Sequence, residues 1–198
     1  MLLAATMRFF KAQADYDPTL LPELIDKSDL ICYGEIVTVQ SETITAKAIE
    51  VIKGTNPKGT IIIERFENWT CATRFAPYRI GQKEFFFLKR KKAFNRYFAL
   101  GAANEGEMPV AQQKVYYQNQ HLSIDKSPPL LKVYGGGVRG YTYDKTEFVK
   151  ALTFYLRYRT KIRADIIPNQ ARIDTTKNIA LLRIFAELQE NTLQPVFH

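Results

Sequence analysis

Five short runs of β-branched and aromatic residues, separated by turn-forming residues, limit what this chain can fold into. Runs of this kind, bounded by polar and glycine-containing clusters, are typical of β-strands. They lie at residues 30–39, 43–52, 60–66, 84–88 and 97–100. The fourth run, Glu-Phe-Phe-Phe-Leu, is almost continuously apolar, which predicts a strand buried on both faces. Gly34 within the first run indicates a bulge or a sharp bend.

Further strands and helices are expected on either side of these runs. Thr19 is placed to cap a short helix just before the first strand. Residues 110–117 and 130–134 have strand character, whereas apolar residues recur at helical spacing over 145–163 and 175–190. Strands followed by helices indicate a mainly β, α+β fold, or a small barrel with appended helices.

The first 18 residues are expected to form a leader or a loose arm, ahead of a barrel at 19–143 and a helical segment at 144–198. They contain Ala12-Gln13-Ala14, which has the small-x-small form of a signal-peptidase site. In a signal sequence positive charge precedes the apolar segment, but here Arg8 and Lys11 follow it. Two interpretations stay open: the end of a signal that starts further upstream, or a mature N-terminus with a chance match. We expect export to the periplasm or the extracellular space, with the cytoplasm as the alternative.

The chain is basic, with 28 Lys and Arg against 20 Asp and Glu and a net charge of +8. A field of that sign attracts nucleic acid, anionic membranes or acidic proteins. No apolar run approaches the roughly 20 residues that cross a bilayer, so no transmembrane segment is expected.

The residues that usually carry catalysis are sparse. The chain has two cysteines and two histidines, and no Cys/His spacing suits a zinc site. Gly135-Gly136-Gly137 fits neither common phosphate-binding motif and is expected to be a flexible turn. No nucleophile–base pair is marked by the sequence, so we expect no enzyme, no metal and no cofactor.

Residues 20–101 resemble the netrin-like domains related to the tissue inhibitors of metalloproteinases. The resemblance rests on the order of several weak motifs along less than half of the chain. These are a Lys-Ser-Asp-Leu start to the first strand, Val51-Ile52-Lys53-Gly54 after the second, Cys71, and the segment from Gly81 to Phe85 that opens a later strand. The resemblance implies a five-stranded oligonucleotide/oligosaccharide-binding (OB) barrel. With the helices expected from the sequence pattern, the chain is predicted to be an OB-like barrel with a short N-terminal helix before it and two C-terminal helices after it.

The resemblance also implies a protein-interaction or inhibitor-like module whose partner is unknown. Its contact edge would be the N-terminal segment with the loop that holds Trp69, Thr70, Phe75 and Pro77. In the inhibitors an N-terminal Cys-x-Cys occupies the protease zinc, and this chain has no such motif. Protease inhibition by that mechanism is therefore not expected.

A disulfide between Cys32 and Cys71 would tie the first strand to the contact loop if the compartment is oxidising. In the related inhibitors, however, the cysteine at the position of Cys71 pairs with the N-terminus. The partner of Cys71 therefore stays open.

The alternative function is a single-stranded nucleic-acid-binding OB protein. Such a protein needs cations along the phosphates and aromatic faces for the bases. The turn between the fourth and fifth strands supplies both residue types in one stretch: Lys89, Arg90, Lys91, Lys92, Arg96 and Tyr97. A solvated loop whose aromatic residues point into the barrel is the competing interpretation.

Overall fold

A computed structural model describes residues 19–69, 72–103, 105–118 and 128–166, with side chains as far as residue 160. The expected N-terminal arm and the second C-terminal helix at 175–190 lie outside these residues. So do Thr70, Cys71 and His121.

The first five strands close into a barrel. They are β1 (Leu30–Val39), β2 (Thr43–Lys53), β3 (Thr60–Glu64), β4 (Lys83–Lys91) and β5 (Arg96–Ala99). Hydrogen bonding runs in the order β1-β2-β3-β5-β4, and β4 pairs with β1 to complete the circle. All neighbours are antiparallel except β3 and β5, which run parallel. The mainly β fold and the closed five-stranded barrel are thus confirmed.

Gly34 lies at one of the register shifts between β1 and β2, as its position in the sequence predicted. A Cβ atom at this position would lie 2.9 Å from the Lys47 carbonyl oxygen. The close approach of the two backbones explains why glycine is needed where the strand bends.

Four more strands extend the sheet from β4. They are β6 (Glu107–Ala111), β7 (Lys114–Gln118), β8 (Leu130–Val133) and β9 (Gly136–Asp144), in the order β4-β6-β7-β9-β8. β4 pairs with β6 along its first half, from Lys83 to Phe86, and with β5 along its second half, from Leu88 to Lys91. It therefore belongs to the barrel and to the second half of the sheet at once.

Two local expectations about this second half are wrong. The single strand expected at 110–117 is a hairpin, because Gln112 and Gln113 turn the chain with positive φ values of 49° and 61°. The flexible turn expected at Gly135-Gly136-Gly137 covers only its first residue, since Gly136 already begins β9. A Cβ atom on Gly136 would collide with the Phe75 carbonyl, so this glycine permits close packing of the backbone.

The two faces of β4 are buried in two different cores, as the apolar run predicted. Phe86 and Leu88 point into the barrel with the inward residues of β1, β2 and β3. Phe85 and Phe87 point outward into a second core, where they meet α1 (Leu21–Lys27), α2 (Lys145–Ile166) and strands β6, β7 and β9. Phe85 packs edge-on against Phe148 of α2, with the ring centroids 5.2 Å apart.

The two helices cover this second core. Asp144 caps α2, because its carboxylate accepts hydrogen bonds from the Thr146 and Glu147 amides at 2.9 and 3.2 Å. The expected cap of α1 by Thr19 is wrong: the N-cap residue is Leu20, which makes no side-chain capping bond. No described helix has the length and apolar character needed to cross a membrane.

Candidate functional site

The connection between β3 and β4, residues 65–82, joins the barrel to the second half of the sheet. Tyr78 packs into the barrel core, whereas Phe75 and Ala76 pack against Val133 and Val138 of the β8–β9 hairpin. The Gly137 amide donates a hydrogen bond to the Phe75 carbonyl at 2.9 Å. Residues 75–78 of the connection are therefore packed against both halves of the sheet, although the described residues of the connection form no regular strand or helix.

A buried charged network fixes the middle of this connection. The Arg74 guanidinium donates to the Glu84 carboxylate of β4, and its Nε donates to Oε2 of Glu107 on β6 at 2.7 Å. The Tyr78 hydroxyl donates to the same Glu107 carboxylate at 2.8 Å and accepts from the Phe66 amide at 2.8 Å. Arg74 also stacks over the Tyr78 ring, 3.7 Å from its centroid. The four side chains tie the connection to two neighbouring strands.

The network holds two carboxylates and one guanidinium away from water. Arg74 is 8% exposed and Glu84 is fully buried, and Oε2 of Glu84 has no hydrogen-bond partner among the described residues. Burial, together with the nearby Glu107, raises the pKa of Glu84 to about 7 against the attraction of Arg74. Burial and Glu107 likewise raise the pKa of Tyr78. The four side chains of the network are buried, so the network holds the connection in position against β4 and β6.

Trp69 stands at the exposed edge of the connection. Its side chain is 40% exposed, and its indole Nε1 donates to the Ala102 carbonyl at 3.0 Å. Two backbone hydrogen bonds, at 2.9 and 3.1 Å, pair Trp69 with Ala72. The indole is therefore held by a hydrogen bond and is partly exposed to solvent.

Thr19, the first described residue, contacts Glu105 close to Trp69 and Ala102. The Glu105 carboxylate is buried and accepts a hydrogen bond from the Ala103 amide at 2.8 Å. Burial raises the pKa of Glu105, and the backbone amides of Glu105, Ala103 and Thr19 partly offset this effect. Trp69, Ala102, Glu105 and Thr19 together form what we call the Trp69 edge. The N-terminal segment that the resemblance assigns to the contact edge precedes Thr19 and lies outside the described residues.

The other residues expected at the contact surface lie in different environments. Phe75 is 5% exposed and belongs to a small core, so its ring does not face solvent. Pro77 is exposed further along the connection. Thr70 is outside the described residues.

The Cys32 side chain is buried inside the barrel, among the inward residues of β1 to β4, and has no disulfide partner among the described residues. Desolvation raises the pKa of this thiol to about 12, so it is protonated at neutral pH. Because Cys71 is outside the described residues, the disulfide between the two stays a prediction.

The basic residues proposed for nucleic acid lie on the β4–β5 hairpin, where Lys92 belongs to a short 3-10 turn, Lys92–Phe94. Lys89 pairs with Asp29 and Lys91 pairs with Glu64, each at 2.9 Å. Arg90 and Lys92 are exposed and Arg96 is half-buried. Tyr97 packs against the barrel core, which is where the competing interpretation placed the aromatic residues.

Sequence reasoning missed the Arg74 network. Its members come from three separate segments, and their pairing depends on the sheet order, which spacing along the chain does not reveal. One signal was present: Glu84 opens a strand that the sequence predicted to be buried on both faces. A charged residue in such a strand needs a partner of opposite charge, which the structure supplies in Arg74.

Among the described residues, no group of three or more His, Cys, Asp and Glu side chains is arranged to hold a metal ion. No protein-family model matches the chain, and a search of curated proteins finds no significant match.

Proposed function

We propose that the chain is a non-enzymatic protein-interaction module of the netrin-like OB type, and that it binds its partner through the Trp69 edge. The observation that carries the proposal is the fixed and partly exposed indole of Trp69, which lies at the same edge as Glu105 and Thr19. Tryptophan is favoured among the few residues that dominate binding energy at protein interfaces.

The strand order supports the fold part of this proposal. A five-stranded barrel with the order β1-β2-β3-β5-β4 and a parallel β3–β5 pair is the arrangement that we assign to an OB barrel. The resemblance over residues 20–101 adds the short helix α1, which lies directly before β1.

The buried network supports the position of the contact edge. A loop that is ordered before binding loses little conformational entropy when it binds, and this favours affinity. Arg74, Glu84 and Glu107 hold the connection in this way, and the Ala102 carbonyl holds the indole itself. These contacts would present Trp69 in one orientation to a partner.

A site-specific photocrosslink in the native cells tests the proposal. A photoreactive phenylalanine analogue replaces Trp69, and the matched control places the same analogue at Ile49, a 51% exposed residue of β2. We expect a discrete protein adduct from position 69 that is absent from position 49. With the adduct partner purified, Trp69→Ala should weaken binding about 30-fold, the effect of a hot-spot residue of about 2 kcal/mol.

Trp69→Phe serves as the conservative variant and should retain part of the affinity. Circular dichroism should show that both variants keep the fold, because the side chain is partly exposed. Identical adducts from positions 69 and 49, or an unchanged affinity of Trp69→Ala, would overturn the proposal.

A further inference from the structure

The β4–β5 hairpin carries a dense positive charge. Residues 85–104 contain five Lys and Arg residues and no Asp or Glu. All five lie between Lys89 and Arg96, at the end of β4, in the turn and at the start of β5. The hairpin thus concentrates a large part of the net charge of the chain on one projection.

Because side chains alternate along a strand, those of the hairpin point either toward the barrel core or toward the outer side. Leu88, Tyr97 and Ala99 pack into or against the barrel core. Lys91 is opposite Arg96 and Lys89 is opposite Phe98 in the β4–β5 register, so these four occupy the outer side. We call Lys89, Lys91, Lys92, Phe94, Arg96 and Phe98 the hairpin face.

The carboxylates around the hairpin face neutralise only part of its charge. Asp29 pairs with Lys89 and Glu64 pairs with Lys91, all four side chains being partly exposed. Within the described part of the chain, Lys92 and Arg96 form no ion pair. The Arg90 guanidinium bonds the neutral Asn95 side chain at 3.1 Å and keeps its charge available. The hairpin therefore retains a positive potential.

An exposed aromatic ring stands among these cations. Phe94 is 62% exposed, which makes it the most exposed aromatic side chain among the described residues. The Lys91 ammonium lies 5.7 Å from the centre of its ring. Asn95, in the left-handed region with φ of 49°, closes the turn and leaves Phe94 at its tip. Ile62 on the neighbouring strand β3 is 44% exposed and extends the apolar surface.

We propose that the hairpin face binds single-stranded nucleic acid, with Lys92 and Arg96 against phosphates and Phe94 stacked on a base. A single strand offers both negative phosphates and open aromatic faces, so it matches the cations and the ring together. A duplex hides its base faces within the stack, and an acidic protein offers no regular supply of flat aromatic partners. The site is separate from the Trp69 edge and does not depend on it.

Fluorescence anisotropy with a labelled oligothymidine is the first test. The wild-type affinity should fall as salt rises, with a slope of about 0.7 in log–log form for each phosphate contact. The double variant Lys92→Gln/Arg96→Gln should lower that slope by about one to two units and weaken binding at low salt. Its matched control is Lys114→Gln, an exposed cation on β7, which should leave the slope unchanged.

Phe94→Ala tests the stacking contact separately from the charges. Loss of one stacked base should weaken binding about tenfold or more, with the salt slope unchanged. Ile80→Ala, at a 70% exposed position on the β3–β4 connection, removes a comparable exposed apolar group and should have no effect. Crosslinking to an oligonucleotide that contains 5-iodouridine should label the peptide spanning residues 89–98.

Competition decides between a nucleic-acid site and a general anion site. Duplex DNA of the same length and inorganic polyphosphate should compete at least tenfold less well than unlabelled single strand. Equal competition by polyphosphate or duplex would overturn the proposal, as would wild-type affinity in Phe94→Ala. If the nucleic-acid proposal failed, the proposal for the Trp69 edge would still stand, because its crosslinking test uses different residues and a protein partner.

Discussion

At the scale of single residues, Arg74 faces more negative charge than it can neutralise. Two buried carboxylates share one guanidinium, and Oε2 of Glu84 has no partner among the described residues. The network therefore keeps one carboxylate that the fold would stabilise better in its protonated form. Such an arrangement couples the stability of the connection to pH.

Glu84→Gln should change how the free energy of unfolding depends on pH. The pKa of Glu84 in the folded protein, about 7, is above the ordinary value of 4.5, so the folded state holds the proton more tightly. Its contribution to stability is fully present below about pH 4.5 and is lost as pH rises through about 7, a total of order 3 kcal/mol. The variant keeps an amide oxygen to accept from Arg74 and removes this dependence.

Urea unfolding between pH 5 and pH 8 measures the effect. Wild type should lose stability over this range relative to Glu84→Gln, and the variant should equal or exceed wild type at pH 8. Glu50→Gln, at an exposed position on β2, is the matched control and should keep the wild-type slope. A variant slope identical to that of wild type would show that Glu84 does not titrate in this range.

At the scale of elements, the sequence predicts the barrel strands well because their hydrophobic patterns are local. The predicted 30–39 coincides with β1, and the other four barrel strands differ from prediction by a few residues at their ends. The burial of β4 on both faces also follows from its apolar run alone. Trp69 could be selected by residue type as a candidate contact residue, but its neighbours Ala102 and Glu105 could not.

What the sequence could not show depends on contacts between distant segments. Such contacts set the order of the strands and the pairing of β6 with β4. They also bring together Arg74, Glu84 and Glu107. The Gln112-Gln113 turn was missed for a different reason. Glutamine is uncommon at positive φ, so this turn lacks the Asn-Gly signal that marks a tight hairpin.

The Gln112-Gln113 turn leads to a prediction about the β6–β7 hairpin. Both residues have positive φ, which costs a residue with a side chain energy that Asn and Gly largely avoid. Gln112→Asn/Gln113→Gly should stabilise the protein by up to about 1 kcal/mol, measured as a higher urea midpoint with an unchanged m-value. The Gln113 carbonyl accepts from the Lys145 amide at the start of α2, and this backbone bond should survive the change.

Gln112→Ala/Gln113→Ala is the matched control for the same positions. It alters both side chains without relieving the backbone, so it should not raise the midpoint. A lower midpoint for the Asn-Gly variant than for wild type would contradict the strain that we assign to this turn.

At the scale of the whole molecule, the proposed export makes a direct prediction about the mature chain. Intact mass spectrometry of protein from its native cells should show cleavage after Ala14, with Asp15 as the first residue. Denatured but unreduced protein should take up no alkylating reagent if Cys32 and Cys71 are paired. An intact N-terminus with two alkylated cysteines would contradict export and favour a cytoplasmic protein.

The double role of β4 has a consequence for how the molecule can be divided. Phe86 and Leu88 complete the barrel, while the intervening Phe85 and Phe87 complete the second core against α2, β6 and the strands beyond it. A fragment that ended after β5 would keep every strand of the barrel and α1, yet it would remove the cover that α2, β6, β7 and β9 give to these two phenylalanine rings. The barrel strands thus form a closed ring of hydrogen bonds, but the barrel does not bury all of its own apolar residues. Trimming the chain to the barrel would expose an apolar surface that favours aggregation.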